Sequence, residues 1–189
     1  MTQFWTELAG LDQRLFLLLN GANTPATDFL FKWVTNKYVW APLYLYLIYV
    51  VVRSYGKQGW VIVVLSVLAL VLADQLASGV MKPYFERFRP CHDPLIGSLV
   101  HNTVGCGGKF GFASSHAATA FAFVTSLFLM AGRRLPAIKW LFLWAFVYAY
   151  SRVAVGVHYP GDILVGGLVG ALTGIVVARL YFYFGKSLV

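Results

Sequence analysis

The stretch Trp60–Val80, "WVIVVLSVLALVLADQLASGV", decides the fold. It carries a single charge, Asp74, in a run long enough to cross a bilayer, which takes about 20 apolar residues at roughly 1.5 Å each. Further apolar segments lie at Tyr38–Val52, His116–Ala131, Ile138–Tyr150 and Ile163–Phe184, the first of them short and interrupted by Pro42. The chain has 189 residues, 59% hydrophobic and 12% charged. A soluble domain of that size needs far more charged surface. The pattern predicts an all-α, polytopic transmembrane helix bundle of about five spans, one membrane-embedded domain over residues 1–189. Only the connection Met81–Ser115 is long; the others are short enough for antiparallel neighbours.

Ahead of the spans, residues 4–19 place Trp5, Leu8, Leu11, Leu15, Leu18 and Leu19 near one side of a helix, with Glu7, Asp12 and Arg14 elsewhere. This reads either as an amphipathic helix along the membrane surface or as a short packed first helix. Its apolar run, 15–19, is too short for a secretory signal. A second short helix is expected around Asp28–Thr35. The net charge of +8 raises the question of nucleic acid, but the bases sit at ends and loops of apolar segments rather than on one polar face. They argue for membrane topology and against a nucleic-acid partner.

Five spans put Arg53, Lys57, Arg133, Arg134, Lys139, Arg179 and Lys186 on one side, and Arg14, Lys32, Lys37, Lys82, Arg87, Arg89, Lys109 and Arg152 on the other. The second side also carries both cysteines, Cys91 and Cys106, in the long loop. If that loop faces an oxidising compartment, a disulfide between them is natural. Two free thiols are the alternative, and a metal site from Cys91, His92 and Cys106 lacks a recognisable ligand spacing.

The same side gathers three polar clusters: "KPYFERFRP" with Lys82 and Arg89, "FASSHAATA" with Ser114, Ser115 and His116, and "SRVAVGVHYPGD" with Arg152, His158 and Asp162. Three fixed cations make a site for a multiply charged anion, and arginine matches phosphate oxygens bidentately. Backbone N–H groups at Ser114–His116 open a helix, whose N-terminus cradles anions. A histidine four residues before an aspartate can have one ring nitrogen held while the other attacks. A second histidine could protonate the leaving oxygen. These parts describe phosphoryl transfer through a phosphohistidine, with positioned charge in place of a metal. Asp162 also has a capping role open to it after Pro160-Gly161.

The clusters resemble the three-part signature of the type 2 phosphatidic acid phosphatase (PAP2) superfamily. K-x6-R-P is matched by Lys82, Arg89 and Pro90, and S-R-x5-H-x3-D by Ser151, Arg152, His158 and Asp162. The middle motif, P-S-G-H, stands here as "ASSH", with Ala113 and Ser115 replacing Pro and Gly. The resemblance implies His158 as nucleophile, Asp162 as its orienting partner and His116 as general acid. Lys82, Arg89, Ser114, Arg152 and the amide of Ser115 would hold the phosphate. It implies an integral-membrane lipid phosphatase without cofactor or metal. The substrate would be a lipid mono- or diphosphate: undecaprenyl diphosphate, phosphatidylglycerol phosphate, phosphatidic acid or a lipid A phosphate. A phosphotransferase using the same histidine and a non-catalytic lipid-phosphate binder or transporter are the alternatives. With the motif cations Lys82, Arg89 and Arg152 set aside, the charge balance puts "GRRLPAIK" in the cytoplasm. The site would then face the periplasm of a bacterial inner membrane.

Two further patterns stay open at this level. Asp74, Ser78 and Lys82 form a polar stripe that reads as structural support or as function. Gly166, Gly170 and Gly174 make a close-packing face, used within the bundle of a monomer or between the copies of a homodimer.

Overall fold

The computed structural model describes residues 2–185, with side chains for residues 5–184; Lys186 lies outside them. Among the described residues every regular element is helical, apart from an isolated bridge between Phe88 and Phe110. The helices are α1 (Thr2–Gly21), α2 (Pro25–Thr35), α3 (Ala41–Tyr55), α4 (Lys57–Phe85), α5 (Ser115–Ala131), α6 (Leu141–Ala154) and α7 (Pro160–Gly185). Short 3-10 turns, Lys37–Trp40 and Pro136–Trp140, run directly into α3 and α6.

The centre of the bundle is α5, which packs most extensively on α7 and α4. Small side chains make that possible. Ala117, Ala118 and Ala122 of α5 are fully buried, and Gly166, Gly170 and Gly174 of α7 face them. A Cβ on any of these glycines would run into the backbone of Ser114, Ala118 or Ala122. The glycine face is therefore spent on packing inside the bundle. Leu164, Leu168, Leu172 and Val176 point the other way and are 54–69% exposed, an apolar stripe suited to lipid.

Two helices are long and apolar enough to cross a bilayer alone, Lys57–Phe85 and Pro160–Phe184, with 29 and 25 residues. At about 1.5 Å per residue both exceed a hydrocarbon thickness of about 30 Å, so their ends reach the interface. Lys82 and Asp162 stand at such ends. The short loops share the opposite end: Arg134 Nη1 donates to the Ser54 carbonyl and the Tyr55 hydroxyl to that of Ala131, both at 3.0 Å. Gly56, with φ of 59°, makes the turn from α3 to α4 that a side chain would disfavour.

α1 lies across the site end. Phe16 and Asn20 are buried there, and the Asn20 amide donates to the carbonyls of His101 and Ala154 at 3.0 Å each. The helix thus docks through Asp12, Gln13, Phe16 and Asn20, while Leu8, Leu11, Leu15 and Leu18 face outward. The segment is a helix packed on the protein; of its predicted apolar side Leu8, Leu11, Leu15 and Leu18 are exposed, while Leu19 packs beside Phe16.

Candidate active site

Near its C-terminal end α4 loosens into a π-helix over Gln75–Met81 before resuming at Lys82. Residues at i, i+4 and i+8 drift around an α-helix; the wider π turn removes that drift. Ser78 Oγ donates to Asp74 Oδ1, and Lys82 Nζ reaches both Ser78 Oγ and Ser115 Oγ, each at 3.3 Å. The stripe is a ladder that steadies Lys82 against the start of α5. The serine that replaces glycine in the middle motif supplies one of its rungs. Ser115 opens α5 without positive φ, so its side chain costs the backbone nothing.

The chain then turns back through Glu86, in the left-handed conformation, and residues 87–89 pair with 109–111. Arg89 N–H donates to the Lys109 carbonyl at 3.1 Å and Gly111 N–H to that of Arg87 at 2.8 Å. The Arg89 guanidinium is held by the carbonyls of Cys106 and Phe110. Cys91 and Cys106 are joined as a disulfide, Cα–Cα 6.0 Å, which ties together the two strands of chain that carry Arg89. Among the described residues no group of three or more His, Cys, Asp or Glu could hold a metal.

Ser114, before α5, is fully buried. Its N–H donates to the Asp162 carbonyl at 3.0 Å, joining the start of α5 to the start of α7. Its Oγ has no partner, nor has Arg152 Nε, whose Nη1 donates to Thr35 Oγ1 at 2.6 Å. Both atoms are of a kind that a phosphate oxygen could pair with, Ser114 Oγ and Arg152 Nε as donors. His116 stacks on Tyr148 at 5.3 Å, with Arg152, His158, Lys82 and Arg89 within electrostatic reach.

His158 and Asp162 are buried, with Nδ1 3.2 Å from Asp162 Oδ2. The same oxygen accepts the Tyr159 N–H at 3.0 Å, and Oδ1 accepts Arg87 Nη1 at 2.9 Å. Burial, then the charges of Arg152, Arg89 and Lys82, push the His158 ring well below the usual imidazole range; a backbone hydrogen bond with Gly111 pushes the other way. A proton on Nδ1 would bond the carboxylate and leave Nε2 as a lone pair. The structure therefore brings Lys82, Arg89, Arg152, Ser114, Ser115, His116, His158 and Asp162 to one end of the bundle.

Sequence reasoning missed three contributors. Arg87 sits inside the K-x6-R-P spacing among other bases, and Asp12 on the polar side of α1; they meet at 2.7 Å beside Asp162. Gly111 packs so closely that a Cβ there would come within 3.1 Å of Asp162 Oδ2 and 3.4 Å of His158 Nδ1. Its position shortly before "ASSH" is the only sequence sign.

From His116 a cleft of about 370 Å³ runs between α3, α4, α5 and α6, past Lys37, Asp74, Thr119 and Trp144. Tyr44, Leu70 and Phe123 also line a second, apolar pocket of about 220 Å³, together with Leu47, Val51, Val63 and Leu127. The cleft beside the histidine is thus lined mainly by apolar and aromatic side chains, with Lys37, Asp74, Ser115 and Thr119 among them.

Comparison with known proteins gives one answer. The family model described as PAP2 superfamily matches residues 60–186. A lipid A 4'-phosphatase of Bacteroides thetaiotaomicron is 34% identical over 170 residues, covering 88% of this chain and 75% of that protein. The crystal structure of Aquifex aeolicus LpxE superposes with a TM-score of 0.67 at 30% identity, covering 88% of this chain and 93% of that one. A transmembrane PAP2-type phosphatidylglycerolphosphate phosphatase from Bacillus subtilis shares the fold, with a TM-score of 0.66 at 20% identity over 92% and 86% of the two chains.

Proposed function

The chain belongs to the PAP2 superfamily and is a membrane lipid phosphatase, and we propose that it hydrolyses a lipid A-class phosphate through a phosphohistidine on His158. The phosphate sits among Lys82, Arg89, Arg152, Ser114 Oγ and the N–H of Ser115. His158 Nε2 attacks phosphorus as the bond to the lipid oxygen breaks, and His116 gives its proton to that oxygen. Water, deprotonated by His116, then attacks the phosphohistidine; the P–N bond breaks and inorganic phosphate leaves. Asp162 holds Nδ1–H and balances the charge that grows on the ring. The observation that carries this reading is the buried His158–Asp162 contact facing three cations.

Two features favour a glycolipid. Curated lipid A 4'-phosphatases are 33–34% identical to this chain. The cleft next to His116 receives the leaving group, and its first section offers Lys37, Asp74 and Thr119. Such groups suit a sugar carrying acyl chains better than a polyprenyl chain joined directly to phosphate. The segments from Lys37, Lys57, Ser115, Pro136 and Pro160 onward form five spans of one membrane-embedded unit. The charge balance and the disulfide in the long loop support a site on the periplasmic side of an inner membrane.

The test is phosphate release by purified protein in detergent, with EDTA present throughout. The panel is lipid A, phosphatidic acid, phosphatidylglycerol phosphate and undecaprenyl diphosphate. Highest kcat/KM on lipid A is expected. Preference for undecaprenyl diphosphate would overturn the substrate class, and release from none would overturn the activity.

A further inference from the structure

Asp162 is held from outside the three motifs. Arg87 donates from Nη1 to Asp162 Oδ1 at 2.9 Å and from Nη2 to Asp12 Oδ2 at 2.7 Å. The other Asp12 oxygen accepts the Gly161 N–H at 2.8 Å. One carboxylate of α1 thus caps the first turn of α7 and clamps Arg87 to it. The guanidinium also lies over the Tyr159 ring, 4.2 Å from its centroid. Tyr159 is itself fixed: its hydroxyl donates to Asp93 at 2.6 Å, Gln13 of α1 donates to the same Asp93 oxygen, and Phe16 meets the ring edge-on. Burial and the Asp93 hydrogen bond push the Tyr159 hydroxyl far above the usual phenol range, so it stays a donor.

A guanidinium with a carboxylate at each terminal nitrogen and a ring against its face has little freedom. Both terminal nitrogens are committed to carboxylates, which leaves Arg87 poorly suited to bind phosphate, unlike Arg89 and Arg152. Its effect passes through Asp162, and the effect of Asp12 passes through Arg87. We infer that Asp12 and Arg87 are positioning residues for the His158–Asp162 pair, so that the docked N-terminal helix is a working part of the active site. The chain of contacts is Asp12, Arg87, Asp162, His158. Each link is at most 3.2 Å.

This inference rests on His158 acting as the nucleophile, and the experiment separates the two. Purified Asp12→Ala, Arg87→Gln, Arg87→Lys and the Asp12→Ala/Arg87→Gln double variant are compared with wild type. The readouts are kcat, KM and the inhibition constant of inorganic phosphate, with His158→Ala as the control for the mechanism itself. A nucleophile misplaced by about 1 Å costs up to about 100-fold in rate. The expected result is a 10- to 100-fold loss of kcat in Arg87→Gln and a smaller loss in Asp12→Ala, with KM and phosphate inhibition within about twofold of wild type. The double variant should be no worse than Arg87→Gln, because the two residues act in series. Arg87→Lys, which keeps the charge but cannot span both carboxylates, should fall between. Unchanged kcat, additive losses, or weaker phosphate binding at normal kcat would each overturn the inference. If Arg87→Gln does not fold, Asp12→Ala and Arg87→Lys carry the test through the same split of kcat from KM. Activity surviving in His158→Ala would instead sink the mechanism.

Discussion

Replacing Asp162 with asparagine removes one charge and almost no volume. The carboxylate has three donors on it: His158 Nδ1 and the Tyr159 N–H on Oδ2, and Arg87 Nη1 on Oδ1. An amide has one acceptor. With its carbonyl toward His158, its NH2 meets the Arg87 guanidinium; turned over, it meets two donors instead. Either way a buried donor faces a donor, and the bond that remains on His158 loses its charge assistance. A hydrogen bond to a charged group is worth about 1.5–3 kcal/mol. Losing two such bonds, at tenfold per 1.36 kcal/mol, puts the fall in kcat between about 10² and 10⁴. Much of that arises because the carboxylate no longer balances charge developing on the ring. The assay is kcat for phosphate release by Asp162→Asn in detergent, alongside its elution volume and melting temperature. KM should change little, since the phosphate cradle is untouched. A folded Asp162→Asn with kcat within threefold of wild type would refute the role given to this carboxylate.

His116→Ala should cost a monophosphate ester much of the roughly 10²–10⁴-fold that general acid–base catalysis supplies, and a lipid diphosphate noticeably less, because phosphate is already a good leaving group; equal losses would reduce His116 to a phosphate ligand. The lowered proton affinity of His158 has a definite sign: the native ring stays neutral while the unfolded one takes up a proton below about pH 6.5, so this group weakens the fold as pH falls through that value and is silent above it. Nitrogen-15 histidine spectra of the ligand-free protein should show ring 158 still neutral at acidic pH, and a titration midpoint at the unperturbed value would contradict the burial argument. Cys91→Ser/Cys106→Ser should raise KM more than it lowers kcat, since the bond holds the loop around Arg89; thiol labelling of denatured, unreduced wild type should find neither cysteine free, and two free thiols would remove the bridge.

The two long apolar helices were legible because hydrocarbon selects long apolar runs, and Trp60–Val80 needs no tertiary partner to declare itself. The three motifs were legible because phosphate chemistry demands cations and histidines where lipid would otherwise forbid them. What escaped reading depends on contacts between distant segments. Asp12 and Arg87 look like ordinary charges in a helix and a loop, and only the docked fold makes them a pair. The π-helical stretch Gln75–Met81 has the composition of an α-helix, and its purpose appears only when Lys82 meets Ser115. α1 docks through a mixed face, Phe16 with Asp12, Gln13 and Asn20, and leaves Leu8, Leu11, Leu15 and Leu18 exposed, an arrangement that helical periodicity alone did not predict.

The measurement that bears most directly on the mechanism is the covalent intermediate. Enzyme mixed with phosphorus-32-labelled lipid phosphate and quenched in alkali within a turnover should carry label that survives base, is lost in acid, and maps by mass spectrometry to His158. His116→Ala should accumulate more of it from a diphosphate substrate, since water attack is slowed, and His158→Ala should carry none. Label on another residue, or turnover in wild type with no trapped label and undiminished activity in His158→Ala, would contradict the account.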